Sequence, residues 1–287
     1  MAKVRSIRIS VLNVAMHKPH SPQLYMTLLR EAKRLQALIE LGALHGAMLG
    51  SLDGPDEYRK GAVLTGEIYR FVRLDASEPW FNLQTSEAAS DADMGAVKIP
   101  EYLLPHLQHI SFVFRPDTHE LWFVSADKKD RLGAQTAVTF FQRLFDRVYQ
   151  EGKCSQVEVT ALPDIETLDA MLSLHKLERM TIDLKRPNAD DAASDEARWL
   201  KKLENQGIRQ QQTQLVAAAG ESIKPDKDTR ALAAVAARNG SVSVVGKDAA
   251  GMRVEESTVA KPMLLTRLVN SAIETALDVL RRTALEK

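Results

Sequence analysis

The stretch "LERMTIDLKRPNADDAASDEARWLKKLENQG", Leu177–Gly207, decides how the chain is divided into elements. Its first eight residues read as a strand that stops at Arg186-Pro187-Asn188. Pro187 cannot continue a central ladder, and Asn188 or Asp190 can accept the orphan N–H groups of a helix that starts there. Asp190, Asp191, Asp195 and Glu196 come before most of the helix's bases and favour its N-terminal dipole. The stretch is thus a strand, a junction and an amphipathic helix.

Upstream, "QVEVTAL" reads as a strand and "PDIETLDAMLSLH" as a helix opened by Asp164, so a β-α-β unit runs from about residue 156 to 184. Downstream come a polar extended stretch, "IRQQQTQLVAAAG", and the helix "KDTRALAAVAARNG", stopped by Asn239-Gly240. "SVSVVGKD" and "MRVEEST" form a hairpin around "DAAG". A last helix is expected from about Leu264 to Leu285, with Leu265, Leu268, Ala272, Ile273, Ala276, Leu277 and Leu280 along a broad stripe.

Nearer the N-terminus, Ile7, Ile9 and Val11 alternate in a strand with one buried face. Ser21 and Pro22 cap and open a helix through Leu24, Leu28, Leu35 and Ile39. Strands are expected at Leu44–Leu52 and Ala62–Leu74, then an acidic loop holding an apolar "PWF". A hairpin follows over His109–Phe114 and Leu121–Ser125, and a strong helix over Gly133–Tyr149. "QEGKCSQ" is the candidate boundary between an N-terminal region, 1–152, and a C-terminal region, 153–287. Helices and strands interleave without a regular βα rhythm. The expected class is α+β, with antiparallel or mixed sheets flanked by helices and a long C-terminal helix.

The 287 residues are 45% apolar and 26% charged, which suits a chain with a real core. Thirty-eight bases balance 38 acids, which argues against a wholly cationic coat but allows a local basic stripe. The one cysteine, Cys154, and the absence of a signal peptide point to a reducing cytoplasm, and no apolar run is long enough for a membrane span.

No phosphate loop, dinucleotide fingerprint or nucleophile elbow is present, so no cofactor and no catalytic residue is expected. His17 and His20 in "HKPHSP" have a spacing that suits two ligands of one metal, but no third ligand is nearby, and no metal site is expected. Cys154 has Lys153 beside it, which lowers a thiol's pKa slightly, yet no partner histidine marks a nucleophile.

The suggestive residues are basic. Lys185 and Arg186 precede the charged helix, Arg198, Lys201 and Lys202 share one side of it, and Arg209 follows it. Contacts from these six to phosphates would release counterions and make binding salt-dependent. Two further basic groups, Lys128, Lys129 and Arg131, and Arg267, Arg281 and Arg282, are weaker candidates.

"LERMTIDLKRPNADD" and "AAAGESIKPDKDTRALAAVAARNGSVSVVGKDAAG" resemble the characteristic segments of a bacterial family known as domain of unknown function 4747. "HKPHSPQLYMTLLREA" and "GEIYRFVRLDASEPWFNLQTSEAAS" fit the same pattern. That family carries no established activity. More distantly, the chain length and order of elements resemble RexA/RdgC-like DNA-binding proteins. That resemblance implies a dimeric, non-specific DNA binder in phage defence or exclusion, and it transfers no contact residue. The expected function is therefore non-enzymatic, sequence-nonspecific binding of double-stranded DNA by a homodimer, its interface expected on the last helix. Two alternatives stay open: a metal-dependent nuclease or other effector enzyme, and a protein-interaction component of a defence complex.

Overall fold

The computed structural model describes residues 4–74, 78–100, 102–186 and 194–286. The N-terminal half runs β1 (Val4–Met16), α1 (Pro22–Arg34), β2 (Ile39–Glu40), β3 (His45–Asp53), β4 (Leu64–Val72), β5 (Phe81–Asn82), β6 (Glu87–Ala88), α2 (Asp91–Ala96), β7 (Gln108–Arg115), β8 (Glu120–Asp127), β9 (Asp130–Arg131) and α3 (Ala134–Gln150). The remainder is β10 (Val157–Ala161), α4 (Ile165–Leu172), β11 (Lys176–Lys185), α5 (Ser194–Asn205), β12 (Gln210–Val216), α6 (Lys227–Asn239), β13 (Gly240–Lys247), β14 (Arg253–Ser257), β15 (Leu265–Asn270) and α7 (Ala276–Glu286). The class is α+β, with every ladder antiparallel.

The large sheet has the order β10-β1-β8-β7-β4-β3-β2, and β15 extends it beside the first half of β1. β1 pairs with three strands, β8, β10 and β15, and is covered on both faces, not one. Leu12, Val14 and Met16 pack under α1 and α3, while Ile7, Ile9 and Val11 pack under α7. α1 starts as its sequence dictates: the Leu24 N–H donates to Ser21 Oγ at 3.2 Å, and Pro22 opens the helix. α3 contributes Phe140, Phe141 and Phe145, all buried, and Phe141 lies edge-on to Phe112 of β7.

The second sheet has the order β12-β11-β13-β14. Met180, Ile182 and Leu184 of β11, with Val242 and Val244 of β13, face α6 and form a separate core with Leu203 of α5. The other face of this sheet is open and polar. Gln210, Gln212 and Gln214 are exposed on it, beside half-buried Thr181, Asp183, Ser241 and Ser243. β10 and β11 enclose α4 but lie in different sheets, so the expected β-α-β unit bridges the two layers.

The C-terminus departs from its pattern. Residues 265–270 form β15 against β1, and α7 begins only at Ala276. β15 is held by its ladder with residues 4–9, whereas the late start of α7 has a local cause. Asn270 Oδ1 accepts from the Ala272 N–H, and a reciprocal pair between Thr275 and Asp278 starts the helix there. The apolar stripe expected to form a dimer interface is therefore divided. Val279, Leu280 and Ala284 are buried in this chain's own core, while Leu268 lies on an edge strand.

Candidate nucleic-acid interface

β11 delivers Lys185 and Arg186 to one end of the second sheet. The junction Pro187, Asn188, Asp190 and Asp191 lies outside the described residues. α5 then buries Leu203 and half-buries Trp199 against the α6 core, which leaves Arg198, Lys201 and Lys202 exposed. Lys202 Nζ sits 4.5 Å and the Arg198 guanidinium carbon 5.5 Å from the centre of the Trp199 ring. Both are cation–π distances, which hold the charges at the surface. Arg198 also pairs with Asp228 of α6 at 3.2 Å. Lys201 has no ion pair among the described residues.

Gly207, at φ +65°, turns the chain back into β12. The Arg186 N–H then donates to the Arg209 carbonyl at 3.0 Å, so Arg209 lies beside the end of β11. The six candidate bases thus divide into a corner (Lys185, Arg186, Arg209) and a helix face (Arg198, Lys201, Lys202).

The corner contains residues that sequence reasoning missed. Val157 and Val159 of β10 face the α3 core, so Glu158 between them points the other way. Its buried carboxylate accepts from Arg209 at 2.6 Å and from Lys185 at 3.2 Å. Burial pushes Glu158 upward, but the Arg209 hydrogen bond and Lys185 outweigh it, and its carboxyl lies below the usual range. Glu204 of α5 accepts from Arg186 at 2.5 Å and lies 3.2 Å from Lys18. The Arg186 hydrogen bond leads in holding Glu204 low. His17 completes the corner, and its burial keeps its pKa below the ordinary imidazole value. Only the alternation V-E-V in "QVEVTAL" could have drawn attention to Glu158; nothing in "HKPH" ties Lys18 to α5.

Four cations, Lys18, Lys185, Arg186 and Arg209, therefore face two carboxylates, Glu158 and Glu204. The corner is cationic by two charges and ordered by its own ion pairs. An arriving phosphate must compete with those carboxylates, whereas Lys201 and Lys202 on the helix face meet it without such competition.

The other candidates are dispersed. His17 donates its backbone N–H to Gln156, while His20 lies edge-on to His119 at 6.3 Å between ring centres. Among the described residues no three His, Cys, Asp or Glu side chains converge to hold a metal. Cys154 is half-buried, and burial first, then Asp146, pushes its thiol up to about 11. This reverses the effect expected from Lys153. Among the described residues no helix is long and apolar enough to cross a membrane.

No curated protein matches the chain. A family model described as "Domain of unknown function (DUF4747)" matches residues 5–285, and the chain belongs to that family.

Proposed function

We propose that this chain is a non-enzymatic, sequence-nonspecific double-stranded DNA-binding protein that acts as a homodimer. The observation that carries the reading is the way β11, α5 and β12 collect Lys185, Arg186, Arg198, Lys201, Lys202 and Arg209 on adjoining surfaces, with Lys18 of the loop after β1 joining them. Phosphates are the ligands this chemistry suits, since the groups are point charges and guanidinium forks with no row of exposed aromatics among them. A role in phage defence or exclusion rests on the resemblance to RexA/RdgC-like proteins alone.

Affinity should be modest. Glu158, Glu204 and Asp228 already engage four of the six bases. The sequence adds Asp190 and Asp191 before α5, and Asp195 and Glu196 within its first turn. Binding should therefore appear at low salt, ignore sequence and fall steeply as salt rises. The test is a fluorescence-anisotropy titration of several unrelated duplexes with the parent and with Lys201→Glu/Lys202→Glu. Both positions are exposed, so the variant should fold. It should bind every duplex more weakly, and its plot of log K against log salt should be shallower by about 1 for each phosphate that it no longer engages.

A second reading, a protein-interaction component of a defence complex, has an observation of its own. Among the described residues from 72 to 109 none is buried, yet Phe81, Leu83, Tyr102 and Leu103 are all exposed there, Leu83 at 86% and Tyr102 at 84%. Apolar side chains left this exposed are ones a partner protein would cover if they adjoin in one patch. The nuclease alternative gains no comparable support from side-chain placement.

A further inference from the structure

The edge of the second sheet carries an inference that deepens the homodimer in the proposed function and rests on that reading. β12 is the terminal strand of its sheet and pairs only with β11. The Arg186 N–H bonds to the Arg209 carbonyl, and the Ala217 N–H bonds to the Glu178 carbonyl. In an antiparallel ladder such bonds recur at every second residue. Residues 209, 211, 213, 215 and 217 therefore turn their backbone groups toward β11. Gln210, Gln212, Gln214 and Val216 turn theirs outward, and none of these outward backbone groups has a hydrogen-bond partner among the described residues.

Natural sheets protect such edges with charge, brevity or a bulge. The other edges in this molecule follow that rule. β10 carries Glu158, β15 carries Arg267, β14 carries Arg253, Glu255 and Glu256, and β2 is two residues long. β12, seven residues reading QQQTQLV, carries no charge, no proline and no glycine. Its register with β11 is unbroken from Arg179↔Val216 to Lys185↔Gln210, so no bulge twists it away.

We propose that β12 is the homodimer interface, pairing antiparallel with β12 of a second copy about a two-fold axis through Thr213. Parity selects that register. With the axis at residue 213, Gln212 lies opposite Gln214 of the copy and Gln210 opposite Val216. All four outward residues then form hydrogen-bonded pairs. An axis at 212 or 214 leaves outward groups of the strand unmatched. Thr213 meets itself at a non-hydrogen-bonded position, and Gln211 meets Leu215. No charge is desolvated anywhere along the seam. A second copy is the occupant that matches this edge in length, neutrality and parity at once.

The two-fold joins the sheets into one continuous antiparallel layer, with both open Gln-rich faces on the same side. Arg209 of one copy lies opposite Ala217 of the other. The two basic corners are thus separated by about eight residues' rise, roughly 27 Å along the strands, which a single duplex can span.

The test uses charges at the two positions that face each other. Gln212 and Gln214 are exposed, so substitution there leaves the chain's own core intact. In sedimentation equilibrium at micromolar concentration the parent should run near 64 kDa, twice the 31.9 kDa of one chain. Gln212→Lys/Gln214→Lys should raise the dimer dissociation constant at least tenfold. Gln212→Lys/Gln214→Glu should restore the dimer, because each lysine then faces a glutamate of the copy. Mixing the double-lysine variant with Gln212→Glu/Gln214→Glu should also give dimers, showing that both fold. A monomeric parent overturns the proposal. So does a dimer indifferent to the two lysines, or a Lys/Glu variant as dissociated as Lys/Lys. A dimer that binds no DNA leaves the interface standing and removes the DNA reading; a DNA-binding monomer does the reverse.

Discussion

Glu204 sets how much positive charge the basic corner offers, since its single carboxylate engages both Arg186 and Lys18. Glu204→Gln should therefore increase affinity for duplex DNA several-fold and steepen its salt dependence, by releasing two cations for phosphate contact. Anisotropy titrations at two salt concentrations check this, and an unchanged affinity would show that the corner faces away from the duplex. The carboxyl's depressed pKa also fixes a sign. Its stabilising contribution is full above the ordinary glutamate pKa of 4.5 and is lost as pH falls through the lower folded value. Cys154 gives a second residue-scale test. With its thiol pushed up to about 11, it should react slowly with a disulfide reagent at pH 8 and rapidly once the chain is unfolded. "GKCSQ" shows the neighbouring lysine but not the burial that outweighs it. The Ser21 cap is legible in the sequence because its partner, Leu24, is three residues away.

Elements whose signals are local can be read in the sequence: α3, the β7–β8 hairpin and the β13–β14 hairpin lie where periodicity and turn chemistry place them, and α1 starts at its expected cap but ends at Arg34, so that Ile39, expected on the helix, lies in β2. β15 is not legible. Leu265 and Leu268 have helical spacing, and only pairing with residues 4–9, far away in sequence, makes the segment a strand. Asn239-Gly240 reads as a helix stop, and the helix does end there, but Gly240 serves a different need. Its φ of 167° is extended, and it opens β13 against β11, where an added Cβ would lie 2.0 Å from the Asp183 carbonyl oxygen. Gly240→Ala must move backbone, so it should cost about 1–3 kcal/mol, as overpacking does. Urea unfolding of the variant gives the value, and a destabilisation below about 0.5 kcal/mol would mean that β11 and β13 are not so closely apposed.

At the scale of the molecule, composition and alternation are enough for the α+β class, but not for which strands meet. β10, β15 and α7, all beyond residue 152, pack with the large sheet, and Asn13 of β1 donates to Asn239 of α6. Such pairings are non-local and leave no trace in a window of ten or twenty residues. The same holds for the candidate interface. Its six bases are legible as a cluster in the sequence, whereas Lys18, Glu158 and Glu204, which decide how many of those charges are free, come together only through the fold. The central claim is that this collected positive charge serves a DNA backbone. It is tested most directly by the salt dependence of duplex binding by the parent chain. The account predicts measurable binding to unrelated duplexes at low ionic strength, with log K falling linearly in log salt at a slope of about −0.9 per phosphate engaged. No binding at low ionic strength, or binding indifferent to salt, would contradict it.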